Sequence, residues 1–219
     1  MDHLADIATD GWTAVDLVER FGPIPLSRVR HAPPPGTATE RDVIQIHDQE
    51  KKLCELVDGV LVEKTVGTYE SYLAGLLVHF IWMHVQQNNL GIVLPPDGMM
   101  RLAPGLVRIP DVSFISWQRL PQQKVPRDPI ANVVPDLAGE IISKSNTSEE
   151  MKRKLSDYFT GGVRQVWYVY PRSREVRVHT GPEQYAVLSD QSCLEGGRVL
   201  PGFSLPLQQL FAEPHNTPN

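Results

Sequence analysis

Apolar positions along this chain repeat with two different periods, and each change of period marks an element. From Thr68 to Asn89 they recur at helical spacing, through Leu73, Leu76, Leu77, Phe80, Ile81 and Val85, which predicts one long helix ended by Gly91. Before it, Leu53 to Val57 and Val60 to Glu63 flank Asp58-Gly59, a pair suited to the positive φ of a tight two-residue turn, so a hairpin is expected. After the helix, Gly91 to Leu94, Met99 to Leu102 and Val107 to Ser116 read as strands. Trp117 to Pro135 is polar and proline-punctuated, a surface loop. Leu137 to Ile142 is a compact apolar strand. Ser148 to Thr160 reads as a helix with Ser148 as cap, Glu149 and Glu150 at its positive end and Gly161-Gly162 at its close. Val166 to Tyr170 is a further strand, and Val176 to His179 with Tyr185 to Leu188 a hairpin or meander.

The ends of the chain pattern differently. Thr13 to Phe21 suits a short amphipathic helix, followed by Pro23, Pro25 and Pro33-Pro34-Pro35-Gly36, which break regular structure. Thr39 to Asp48 is helix-compatible, with Thr39 as N-cap and Asp42 as its capping-box partner. Residues 1–50 therefore read as an N-terminal extension, 51–205 as one domain, and 206–219 as a tail in which Leu207 to Phe211 is apolar before the chain frays. The order of elements implies an α/β fold, a central mixed β-sheet flanked by two principal helices.

Composition narrows the function classes. The chain has 219 residues, enough for one well-packed core, and a formal net charge of −5. Phosphate neutralisation needs Lys and Arg, so the acidic total argues against a nucleic-acid binder. The charge is uneven, however. Eight basic and four acidic residues lie between Lys144 and Arg177, so an anion-binding face is expected there. Two cysteines, Cys54 and Cys193, have no nearby His partner and suit a reducing, cytoplasmic setting. Met1 to Thr13 has no signal-peptide pattern and no apolar run reaches membrane length, so no membrane association is expected.

Two carboxylates break the local pattern. Asp111 interrupts Val107-Arg-Ile-Pro-Asp-Val-Ser-Phe-Ile, and Glu140 interrupts Leu137-Ala-Gly-Glu-Ile-Ile. A carboxylate in an apolar strand is costly unless it is paired, hydrogen-bonded or bound to a metal. Taken singly, each can be explained by a strand-edge pairing with Arg101, Arg108 or Arg164. Taken together, they suit a hard divalent cation that relieves their repulsion. Lys154, inside the helix after the Glu140 strand, is a candidate to orient a water or to stabilise charge at a phosphate. As a helix residue beside Lys152 and Arg153 it also suits a solvated surface.

"RIPDVSFI", followed by "PDLAGEIISKSNTSEEMKRKLSDYFTGGVRQVWYVYP", resembles the Uma-type (Uma-two) family of restriction endonucleases, a branch of the PD-(D/E)XK nuclease superfamily. The matching positions are Asp111, Glu140, Ser143, Lys154 with Leu155 and Tyr158, Gly162 with Val163, and Trp167. The upstream "ELVDGVLVEK" matches the family's hairpin, with Glu63 at its end. The resemblance covers about residues 50–180. It implies a restriction-endonuclease-like core, Asp111 and Glu140 as ligands of Mg²⁺ (with Mn²⁺ as substitute), and hydrolysis of DNA. In the parent superfamily the lysine stands two residues after the glutamate, where this chain has Ile142. Lys154 matches the family's helix motif and is the favoured replacement, with Lys144 as competitor. Glu63 and Glu70 are candidates for a further acid. Many nucleases of this type cut two strands with two sites, which makes a homodimer the working expectation. Two other classes stay open. One is a catalytically inactive nuclease-fold protein that binds nucleic acid or a protein. The other is a regulatory partner that docks through its proline-rich arm.

Overall fold

The computed structural model describes residues 12–213. The reading of Met1 to Thr13 as lacking a signal sequence falls almost wholly on residues 1–11, which, with the last residues read as frayed, 214–219, lie outside the described residues. The chain enters through α1 (Ala14–Phe21) and α2 (Glu40–Glu50), both started by capping boxes, Thr13 with Asp16 and Thr39 with Asp42. The hairpin follows as β1 (Cys54–Val57) and β2 (Val60–Glu63). Its turn residues Asp58 and Gly59 have φ of 50° and 72°, as the tight turn requires. Helix α3 (Thr68–Asn88) then leads through β3 (Gly91–Leu94), β4 (Met100–Ala103), β5 (Leu106–Arg108) and β6 (Val112–Ser116) to β7 (Leu137–Ile141). Helix α4 (Ser148–Gly161) connects β7 to β8 (Gln165–Tyr170). The chain closes through β9 (Glu175–His179), β10 (Tyr185–Leu188), β11 (Cys193–Glu195), β12 (Ser204–Pro206) and α5 (Leu207–Leu210). Thr147 rather than Ser148 caps α4, its hydroxyl accepting the Glu150 amide.

The central sheet is six-stranded, ordered β10-β9-β8-β7-β6-β3. It is mixed because β7 and β8 run parallel, joined by α4, while the other pairs are antiparallel. Helix α3 covers one face, burying Leu73, Leu77, Ile81 and Val85 against Val112, Leu137 and Trp167. Helix α4 covers the other, packing Met151, Leu155 and Tyr158 on Ala138, Val166 and Tyr168. A second sheet, ordered β2-β1-β5-β4, and a small β11-β12 pair complete the fold.

Two expectations need correction. Val107 to Ser116 does not form one strand. It is two strands in different sheets, divided at Ile109-Pro110-Asp111. Pro110 has no N–H for a ladder, so the chain leaves the first sheet there and enters the second one residue after Asp111. The apolar piece read as part of a tail is also core: Leu207, Leu210 and Phe211 are fully buried with α3 and the central sheet.

His179 on β9 sets a pH test of the packing. Its ring lies between Tyr168 and Tyr185, at centroid distances of 5.1 Å and 4.9 Å, and neither ring nitrogen is hydrogen-bonded. Burial, and then the Arg177 charge, push its pKa down to about 4. The unfolded chain takes up this proton first as pH falls. The resulting stability is present above the usual histidine value near 6.5 and is lost as pH drops toward about 4. His179→Phe is expected to flatten the acid limb of the stability profile by up to about 1.4 kcal/mol per pH unit, read from denaturant unfolding. An unchanged acid limb would exclude His179 as its source.

Candidate active site

The site forms where the two sheets meet beneath α4. Asp111 stands at the crossing between β5 and β6, and its amide donates to the Gly139 carbonyl at 2.9 Å. Val112 pairs with Gly139, so Asp111 and Glu140 occupy the next positions on the opposite face, the face that α4 covers. Asp111 is 7% exposed and Glu140 is 5% exposed. The Asp111 carboxylate accepts the Ile141 amide on Oδ2 at 2.7 Å and faces Lys64 Nζ with Oδ1 at 2.9 Å. Glu140 Oε1 accepts the Lys154 ammonium at 2.9 Å and the Tyr158 hydroxyl. Lys154 and Tyr158 are one helical turn apart on α4, which is why both reach one oxygen.

Burial raises the Glu140 pKa above the ordinary glutamate value. Lys154 opposes the rise, and the nearby Asp111 and Glu55 charges add to it. Burial alone would lower the Lys154 pKa, but Glu140 and Glu55 outweigh it and hold the amine protonated. Each acid pairs with a lysine, Asp111 with Lys64 and Glu140 with Lys154, and not with the arginines expected. Arg101 pairs with Glu40, Arg108 with Glu55 and Asp157, and Arg164 with Asp136.

Of the sequence candidates, Asp111, Glu140 and Lys154 come together. Glu63 does not join them. Adjacent strand residues face opposite sides, and Glu63 turns outward to Arg30 and Lys52, both at 2.9 Å. Lys64, the next residue, turns inward. Lys144 is exposed in the loop after β7, and Glu70 sits in the first turn of α3. Both line a cleft whose wall does not include Asp111 or Glu140.

Sequence reasoning missed Glu55 and Lys64. Glu55 is 3% exposed and accepts Lys154 Nζ at 3.1 Å, Arg108 Nη1 at 2.7 Å and the Ile109 amide at 3.0 Å. Burial pushes its pKa up, but Lys154 and Arg108 reverse this and hold it at about 2. It interrupts Leu53-Cys-Glu-Leu-Val just as Glu140 interrupts its own strand, so the same signal was present. Lys64 closes the "ELVDGVLVEK" match, but its inward direction follows from hairpin register.

A family model, Uma2, with the description "Putative restriction endonuclease", matches residues 41–208. Among solved structures, the chain is similar to one described as a "putative nuclease belonging to DUF820" from Anabaena variabilis. The identity is 16% and the TM-score 0.64, over 74% of this chain and 90% of that one. At that identity the likeness speaks for the fold. A search of curated proteins finds no match. Among the described residues no helix is long and apolar enough to cross a membrane.

Proposed function

This chain belongs to the Uma2 family, and on that premise we propose that it hydrolyses DNA phosphodiester bonds at a divalent cation, Mg²⁺ or Mn²⁺, held by Asp111 and Glu140. The observation that carries this reading is Glu140. It is a buried carboxylate whose ionised form is disfavoured, set beside a second carboxylate and touched by an ammonium group. A cation would relieve that penalty.

Two carboxylates can serve such an ion, with Asp111 Oδ1 exchanging its Lys64 contact for the cation. Among the described residues no cluster of three acidic, His or Cys side chains is arranged to hold a metal. Mg²⁺ commonly binds through one or two carboxylates and fills its remaining positions with water and phosphate. Glu140 engages Lys154 and Tyr158 through Oε1, which leaves Oε2 for a ligand bond. When bound, the cation supplies Lewis-acid polarisation of a phosphoryl oxygen and a more acidic water.

The chain's own groups then have distinct tasks. Lys154 lies within 3.1 Å of two carboxylates and stays protonated, so it does not take a proton from water. It fixes the Glu140 rotamer and presents a positive charge to a phosphate gaining negative charge. Tyr158 holds the same oxygen as a neutral donor. Lys64 also donates to the carbonyls of Pro96 and Ile109, at 3.1 Å and 2.7 Å, and so anchors Asp111 to two loops.

Lys154→Met is expected to slow Mg²⁺-dependent plasmid cleavage by about 100-fold, with Mn²⁺ binding retained by calorimetry. Cleavage at the wild-type rate would contradict the role given to Lys154. One observation favours a second reading, a nuclease-fold protein that binds without cutting: Lys64 and Lys154 already neutralise Asp111 and Glu140. Mn²⁺ failing to bind the wild-type chain at millimolar concentration would favour it.

A further inference from the structure

A cleft of about 910 Å³ is lined in part by residues that follow the site residues in sequence, and not by Asp111 or Glu140 themselves. Its wall includes Thr65, which follows Lys64, together with Ile142 beyond the end of β7 and Tyr170 at the end of β8. It therefore opens at the carboxyl ends of the two parallel strands, two residues beyond Glu140 in the chain. We infer that this cleft takes an unpaired stretch of a DNA strand, with a base stacked on Tyr69, rather than an intact duplex. The inference deepens the nuclease reading and rests on it.

The charge lining this cleft is too sparse to track a duplex. Lys152, an exposed lysine of the basic stretch for which no ion pair is seen among the described residues, does not line it. Tight duplex binding without base readout draws on many Lys and Arg contacts to phosphate. Within the basic stretch, Arg153, Lys154, Arg164 and Arg174 are held in ion pairs inside the molecule. Arg177 stacks over Tyr170 and Tyr185. Arg28, in the cleft wall, is 6% exposed and tied to Glu150 at 2.7 Å. Lys144 and Arg172 are exposed cleft-lining cations for which no ion pair is seen among the described residues. The cleft's acid, Glu70, folds its carboxylate back over Gly67 at the start of α3. Two cations suit one or two phosphates, not a run of them.

An aromatic surface stands next to those cations. Tyr69 lines the cleft and stacks with Tyr72, with ring centroids 6.4 Å apart and planes 21° apart. Each tyrosine is 37% exposed, although both belong to a helix that buries five other side chains. A stacking platform beside a few phosphate contacts is how proteins hold single strands, because an unpaired base offers its face and a base within a duplex does not. The acids are 7% and 5% exposed and do not themselves line the cleft, so a strand held there has to thread inward to bring a phosphate to them. A single strand can do this without moving a second one.

The test uses the full chain in EDTA, where binding is read without cleavage. Anisotropy is measured with a fluorescein-labelled mixed-sequence oligodeoxynucleotide and with its blunt duplex. The single strand is expected to bind at least about tenfold tighter. Tyr69→Ala is expected to remove about tenfold of that affinity while Tyr69→Phe keeps it, and Lys144→Ala is expected to make the salt dependence shallower by about 0.7. Circular dichroism confirms that each variant folds. Equal affinity for the two probes, or an unaffected Tyr69→Ala, would overturn the inference. Rapid Mg²⁺-dependent cleavage accompanied by equal affinities would overturn it while leaving the nuclease reading intact. Tight, Tyr69-dependent binding of the single strand without cleavage would support it and defeat the nuclease reading instead.

Discussion

Glu140→Gln is expected to reduce Mg²⁺-dependent DNA cleavage by at least about 100-fold, while the metal-free protein melts at the same temperature or higher. The two effects separate because one carboxylate has opposite consequences for function and for stability. Glutamine keeps the side-chain length and can still accept from Lys154 and Tyr158. It removes the charge that a cation needs. It also removes the repulsion from Asp111 and Glu55, which together with burial disfavours the ionised form. Lys154 keeps Glu55 as a partner at 3.1 Å, so no buried cation is left unpaired. A site shaped only for folding would behave differently, losing stability with the pair and having no activity to lose. Cleavage assays with thermal unfolding, on the same preparation, decide between these outcomes. A variant that cuts normally would end the assignment of Glu140.

Arg108→Met is expected to be the most destabilising single change in the cluster, at about 3 kcal/mol or more. For a chain of this size that is a fall in Tm of roughly 10 °C. Arg108 is 2% exposed and joins β5 to two other elements. It donates to Glu55 on β1 at 2.7 Å and to Asp157 on α4. Methionine would fill the space but leave two buried carboxylates short of a countercharge. Asp157 would retain Arg153 at 2.9 Å and Glu55 would retain Lys154, which places the cost at the lower end of the range for a broken buried pair. Because the loss arises from the stranded partners, adding Glu55→Leu should recover part of it. Denaturant unfolding of the single and double variants measures this. A loss under about 1 kcal/mol for Arg108→Met would show that the cluster does not hold β1, β5 and α4 together.

Much of the architecture was legible because it is encoded locally. The Asp58-Gly59 turn, both capping boxes and the long apolar stripe of α3 each depend on residues a few positions apart. Asp111 and Glu140 stand out because charge in an apolar strand is costly wherever the fold puts it, whereas Lys154 is marked only by the helix motif of the resembling family. The division at Pro110 was less visible, since a proline at a strand break reads the same whether the chain continues in one sheet or crosses to another. The β11–β12 pair could not be read from pattern, because Cys193-Leu-Glu and Ser204-Leu-Pro are each three residues long. The "ELVDGVLVEK" match points to Glu63, yet the alternation of a strand turns Glu63 outward and its neighbour Lys64 inward. Glu55 carried the same signal as Glu140 and was passed over.

A crystal soaked in Mn²⁺ and measured at a wavelength where manganese scatters anomalously tests the central assignment most directly. The account requires one strong peak within bonding reach of both Asp111 and Glu140, about 2.2 Å from each, with the Lys154 amine no farther than one water away. A fully soaked crystal with no peak there, or with manganese held only by other side chains, would contradict it.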